Sequence, residues 1–181
     1  MNFEKVLFLI LEELEKNKIK YAVVGGLALT ILGLPRATFD IDLLIEKKSA
    51  KLIDNILKKF EYKPVYKTEN VAQYLSELKP FVEIDIIYAF RKISTEMLKR
   101  AKIIKIFNKK IRVLIPEDII GLKIQAIANN PKRFDREMFD IKKLIEHYKE
   151  NLNWNLIEKY FSIFSFQKEF KKLKLEYENN K

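Results

Sequence analysis

No cysteine occurs anywhere in the 181 residues. That removes disulfides, thiolate metal sites and thiol nucleophiles together. Histidine is nearly as scarce: His147 is the single one, so neither a histidine-rich zinc centre nor a relay of imidazoles can be assembled. Glycine and proline number only 4 and 5, and no Gly-, Pro- or Ser-rich stretch divides the chain into separately linked domains. Long apolar runs are missing too. The most apolar window, Tyr21 to Pro35, is too short and too broken by glycine to span a bilayer. Near the amino terminus, Glu4, Lys5, Glu12 and Glu13 bracket an apolar core of only Val6 to Leu11, which argues against a signal peptide. The expectation is a soluble, cytoplasmic protein with no membrane partner.

What is present is apolar bulk and positive charge. A hydrophobic fraction of 48% supports one packed core and excludes wholesale disorder. The formal net charge of +10 points to a polyanionic partner. Its placement says more: between Arg91 and Arg112 lie nine lysines and arginines against Glu96 alone. The alternative is a lysine-rich solvated surface with no partner at all.

The pattern predicts a helix over Phe3 to Lys16 and a short strand over Lys20 to Val24. A helix over Gly26 to Leu32 and a strand over Thr38 to Ile45 follow. Ser49 reads as the cap of a helix to Phe60, with Leu52, Ile53, Ile56 and Leu57 inward. Strands are expected at Tyr62–Tyr66, Val71–Leu75 and Phe81–Phe90. A short helix near Met97 comes next, then a hairpin, Ile103–Phe107 with Ile111–Ile115, around Asn108-Lys109. From Pro116 the texture is helical: Glu117–Asn129, Asp135–Tyr148, Leu152–Phe161 and Gln167–Tyr177. The fold class is therefore α+β, a mixed sheet with flanking helices (1–115) followed by a helical carboxyl-terminal part (116–181) packed on it as one compact unit. Trp154, Tyr160, Phe161, Phe164, Phe166 and Phe170 are expected to pack those last helices.

The chemistry concentrates in Tyr21 to Ile45. A glycine pair directly after a strand, Gly25-Gly26, lets backbone N–H groups approach a phosphate where a side chain would collide, although such pairs are often plain tight turns. Arg36, Thr38, Asp40 and Asp42 alternate, so an extended chain puts them on one face, with Phe39, Ile41 and Leu43 on the buried other. Paired carboxylates among apolar flanks need a partner, and a divalent cation supplies one. Asp85 adds a third acid in an equally apolar strand, with Glu83 on its face as a lesser candidate. Three carboxylates from two strands can hold two divalent ions ~4 Å apart for in-line displacement at phosphorus.

Gly-Gly, a spacer, Asp-Ile-Asp and a later strand aspartate together resemble the signature of the DNA polymerase beta-type nucleotidyltransferase superfamily. The local pattern G-L-P-R-A-T-F-D-I-D is similar to its AbiEii-type branch, which includes nucleotidyltransferase toxins of toxin–antitoxin systems. P-E-D-I-I-G-L-K-I-Q-A resembles that branch's helical segment, whose lysine contacts the nucleotide's phosphates; here it is Lys123. Arg136 to Asp140, R-E-M-F-D, resembles an element that usually reads Lys-Asp-x-x-Asp, so Arg136 and Asp140 are lesser candidates, with altered geometry.

The resemblance implies transfer of a nucleoside monophosphate from an NTP to an acceptor hydroxyl, with release of pyrophosphate. Gly25 and Gly26 would cradle the triphosphate. Asp40, Asp42 and Asp85 would bind Mg²⁺ or Mn²⁺, and Lys123 would neutralise phosphate. Arg36 and Thr38 would orient phosphate or acceptor, or Arg36 would merely pair with Asp40. The basic block favours RNA, such as a tRNA 3′ end, as acceptor; protein AMPylation or a small molecule is the alternative. An antitoxin protein is an implied partner. Two other classes compete: a non-catalytic nucleotide-binding module of the same fold, and a basic RNA-binding protein whose acids are structural. By its spacing alone Lys123 would be a snorkelling lysine.

Overall fold

The structure, a computed structural model, describes residues 3–76, 82–106 and 108–179. Its contacts cluster into two compact units, Met1–Leu114 and Ile115–Lys181.

The first unit opens with α1 (Phe3–Lys16), whose apolar stripe Val6, Leu7, Ile10, Leu11 and Leu14 is buried. After it come β1 (Tyr21–Val23), α2 (Gly25–Ile31), β2 (Ile41–Glu46), α3 (Ala50–Lys59), β3 (Tyr62–Lys67), β4 (Val71–Ser76), β5 (Ile84–Ala89), α4 (Lys92–Arg100), β6 (Lys102–Ile106) and β7 (Lys109–Val113). The described strands form one seven-stranded sheet in the order β3-β4-β5-β2-β1-β7-β6. Central β2 runs parallel to β5 and antiparallel to β1. Leu43, Leu44 and Ile45 of β2, and Ile84 and Ile86 of β5, are at most 1% exposed, so the core lies against the middle of the sheet.

Five expectations need correction. The acid-bearing strand begins at Ile41, not Thr38. Its ladder to β1 spans only Tyr21↔Ile45 to Val23↔Leu43. Beyond Val23 the would-be partner turns into α2, which leaves residues 38–40 no strand on that side. Phe39, expected inward, is consequently 78% exposed. Leu52 is also exposed, at 39%, while Ile53, Ile56 and Leu57 are buried as expected. Ser49 occupies the cap position of α3 but makes no side-chain cap bond. The hairpin pairs Ile106 with Lys109, so Lys109 is already strand and the turn lies one residue earlier, at Asn108 with φ +64°. Phe81 and Phe107, placed in strands by the sequence pattern, fall outside the described residues.

The second unit contains α5 (Pro116–Asn129), α6 (Phe134–Tyr148), α7 (Trp154–Ile163) and α8 (Gln167–Asn179). Pro116 suits the first turn of α5, where its missing N–H has no partner to lose. Asn153 caps α7 by accepting the Leu156 N–H at 3.1 Å. Of the expected aromatics, Tyr160, Phe161 and Phe170 are buried, and the Phe161 and Phe170 rings sit 5.5 Å apart. Among the described residues no helix is long and apolar enough to cross a membrane.

Candidate functional site

Strand register assembles the acids of the first unit. On the parallel pair β2–β5, Asp42 and Asp85 are direct Cα partners, so their side chains leave the same face of the sheet as neighbours. On the far side of β2 the Val24 N–H donates to the Asp42 carbonyl at 3.0 Å, which sets the next residue, Gly25, against the Asp42 side chain. Gly25 has φ +62°, and a β-carbon there would lie 2.0 Å from Asp42 Oδ2. Only glycine tolerates both conditions. A β-carbon on Gly26 would lie 2.9 Å from Thr38 Oγ1, so Thr38 packs over the second glycine. The Thr30 hydroxyl lies 3.3 Å from the Gly26 carbonyl and 3.1 Å from that of Arg36, tying this loop to α2. Helix α2 has only seven residues, and the missing side chains of its two glycines admit Asp42 and Thr38.

Asp85 is half-buried, and its carboxyl is pushed up to about 6, first by burial and then by the negative charges of Glu83 and Asp40; a hydrogen bond from Gln73 pulls the other way. Asp40 is exposed, on the loop that precedes β2, yet near enough to act on Asp85. The Gln73 amide also donates to Glu83 Oε1. Among the described residues no three acids or histidines lie close enough together to hold a metal ion. The chemistry of the donor set nonetheless fits a hard cation: carboxylates side by side on adjoining strands, with Asp85 holding its proton more tightly first through burial and then through Glu83 and Asp40.

Gln73 was not found by sequence reasoning. It belongs to no motif, and the one signal was a lone amide between apolar neighbours in Val71–Leu75.

Lys123, Arg136 and Asp140 belong to the second unit. Lys123 neither snorkels nor presents an open ammonium: it is 8% exposed, and its Nζ donates to Glu137 Oε2 at 2.7 Å and Asp140 Oδ2 at 2.6 Å. Arg133 donates to the other oxygen of Glu137. Burial would raise the Glu137 carboxyl, but Lys123 and Arg133 together hold it below the usual range. The P-E-D-I-I-G-L-K segment also meets internal partners. Glu117 accepts the Asn153 N–H at 2.8 Å, Asp118 accepts the Tyr160 hydroxyl at 2.5 Å, and Gly121 admits the Tyr160 ring where a β-carbon would sit 2.8 Å away.

The basic block is partly paired. Lys99 meets Glu96 at 2.8 Å, Arg112 meets Glu15 at 3.5 Å, and Lys109 meets Glu12. Lys102 and Lys105 are exposed on β6, an edge of the sheet.

Solved structures share this architecture. The antibiotic-resistance factor ANT(2'')-Ia is 14% identical with a TM-score of 0.66, over 97% of this chain and 96% of that one. A Thermotoga maritima protein, described as a nucleotidyltransferase by assignment, is 18% identical with a TM-score of 0.56, over 76% and 92%. A lincosamide antibiotic adenylyltransferase bound to lincomycin is 20% identical with a TM-score of 0.56, over 78% and 95%. At such identities the likeness establishes the nucleotidyltransferase fold. No curated protein matches the sequence. The sequence does match, over residues 4–170, a family described as uncharacterised nucleotidyltransferases. A match across nearly the whole chain, with that fold beneath it, makes this protein a member of that nucleotidyltransferase family.

Proposed function

We propose that the protein moves a nucleoside monophosphate from an NTP to an acceptor hydroxyl in a divalent-metal-dependent reaction that releases pyrophosphate. The observation that carries this reading is the row Gly25–Asp42–Asp85, a side-chain-free backbone set against two carboxylates on neighbouring strands. Asp42 and Asp85, with Asp40 from the preceding loop, are the residues that would hold Mg²⁺ or Mn²⁺. When bound, such ions offset charge on the phosphates and acidify an attacking hydroxyl. The backbone N–H groups of Gly25 and Gly26 would cradle the triphosphate, with Thr38 and Arg36 on the loop beside them to orient phosphate or acceptor. The acceptor oxygen bonds to the α-phosphorus while the bond to the β-phosphate oxygen breaks. Asp85 favours departure of the hydroxyl proton, and pyrophosphate leaves.

The exposed lysines of β6 support RNA, including a tRNA 3′ end, as the acceptor, in a cytoplasmic setting. The AbiEii-type resemblance adds a place in a toxin–antitoxin pair. The experiment is incubation with each α-labelled NTP, Mg²⁺ or Mn²⁺, and total RNA or lysate. Label in RNA supports the reading in full. Label in protein would replace RNA by AMPylation, and label in neither, with no pyrophosphate released, would overturn transfer. Asp42→Asn should abolish the signal. Growth arrest on expression, relieved by a neighbouring gene, tests the toxin assignment; growth unaffected by the active enzyme would remove it.

A further inference from the structure

Gln73 is uncharged and belongs to no recognised motif, yet three observations converge on it. It is the direct Cα partner of Asp85 on the antiparallel pair β4–β5, so Gln73, Asp85 and Asp42 form one transverse row across three strands. Its parity is fixed from behind. Ala72 and Tyr74 are buried at 2% and 1% exposure, and the Tyr74 hydroxyl donates to Asp54 Oδ1 in α3 at 2.6 Å. A slip of one residue would break that bond and bury the amide. Finally, the amide donates to Glu83 Oε1 and lies close enough to its cross-strand partner Asp85 to favour that carboxylate's charged form.

We propose that Gln73 is the positioning residue of this site: its amide bridges Glu83 and Asp85 and so fixes the direction in which Asp85 presents its remaining oxygen to a divalent cation. The inference rests on reading the row as a metal site. A side-chain amide suits the task because it offers two N–H donors and no net charge. A lysine there would also satisfy both acids, as Lys123 does for Glu137 and Asp140, but its ammonium would take the place the external cation needs. Outer partners that orient metal-binding carboxylates typically govern affinity by 10–100-fold.

The test is Mn²⁺ binding by the full chain, followed by EPR titration with MnCl₂ in the presence and absence of ATP, alongside thermal melting. Gln73→Met keeps the volume and removes both donors; it should weaken Mn²⁺ binding about tenfold or more with little change in Tm. In an Asp85→Asn background the same change should cost nothing further, which a merely structural role would not reproduce. Gln73→Lys should abolish binding without lowering Tm. Wild-type affinity in Gln73→Met, or an equal loss in both backgrounds, would overturn the inference. Wild-type protein that binds no Mn²⁺ in either condition would overturn the metal reading itself, and this inference with it.

Discussion

Two groups of buried or half-buried carboxylates are treated in opposite ways. In the second unit Glu137 and Asp140 share the ammonium of Lys123, with Arg133 on the outer oxygen of Glu137. Their charge is balanced by the chain itself, and the Glu137 carboxyl is held low despite its burial. In the first unit the charged groups acting on Asp85 are further acids, Glu83 and Asp40, and its carboxyl is pushed up. Folding gains nothing from crowding like charges. We read the acidic row as kept for an external cation, whereas Glu137 and Asp140 already share the ammonium of Lys123.

The largest effect expected from this contrast is on activity. Asp42→Asn should lower nucleotidyl transfer by roughly a thousandfold or more, read by pyrophosphate release, because it removes one metal-binding charge. Melting should show the fold retained, because asparagine keeps the size and shape of the side chain. Lys123→Met should do the reverse to stability. Removing one partner of a buried ion cluster leaves the other charges uncompensated, at a cost of about 3–5 kcal/mol by denaturant titration. A cost near zero would break the comparison. Gly25→Ala joins both kinds of damage: a positive φ is strained for alanine by about 1–3 kcal/mol, and its β-carbon would meet the Asp42 carboxylate. Mn²⁺ binding should fall together with Tm.

The pH dependence sharpens the contrast further. Asp85 binds its proton more tightly folded than unfolded, so its contribution makes stability fall as pH rises from about 4 to about 6. Asp85→Asn, or added Mg²⁺ at the upper end, should flatten that slope in melts across the window. Glu137 has the opposite sign: its contribution is present above the ordinary glutamate range and is lost as pH falls through its lowered folded value. Glu137→Gln should remove that acid-side loss. The smallest effect concerns the sheet edge. Neutralising Lys102 and Lys105 should reduce the slope of log affinity for single-stranded RNA against log salt by about 1–2; an unchanged slope would make them plain surface.

The sequence made the α+β class readable because helical and alternating periods are distinct and the carboxyl-terminal third carries only the former. Gly25, Asp42 and Asp85 were legible as residue types, since glycine pairs and acids in apolar strands stand out from their surroundings. That Asp42 and Asp85 face each other was not legible, because register is settled by cross-strand pairing between distant segments. The same limit hid Gln73. Phe39 misled because alternation was extended past the end of β1, where no ladder exists to enforce it. The snorkelling reading of Lys123 failed for a different reason: its two carboxylates sit 14 and 17 residues downstream on another helix, a distance at which spacing carries no signal.

The central claim is that the row of acids beside Gly25 is kept for an external cation and a nucleotide's phosphates. Its most direct test compares wild type with Asp42→Asn in α-labelled NTP, Mg²⁺ and total RNA, scoring transferred label and released pyrophosphate together. The account predicts both products from wild type and neither from the variant at an equal Tm. Equal product from the two proteins would contradict it.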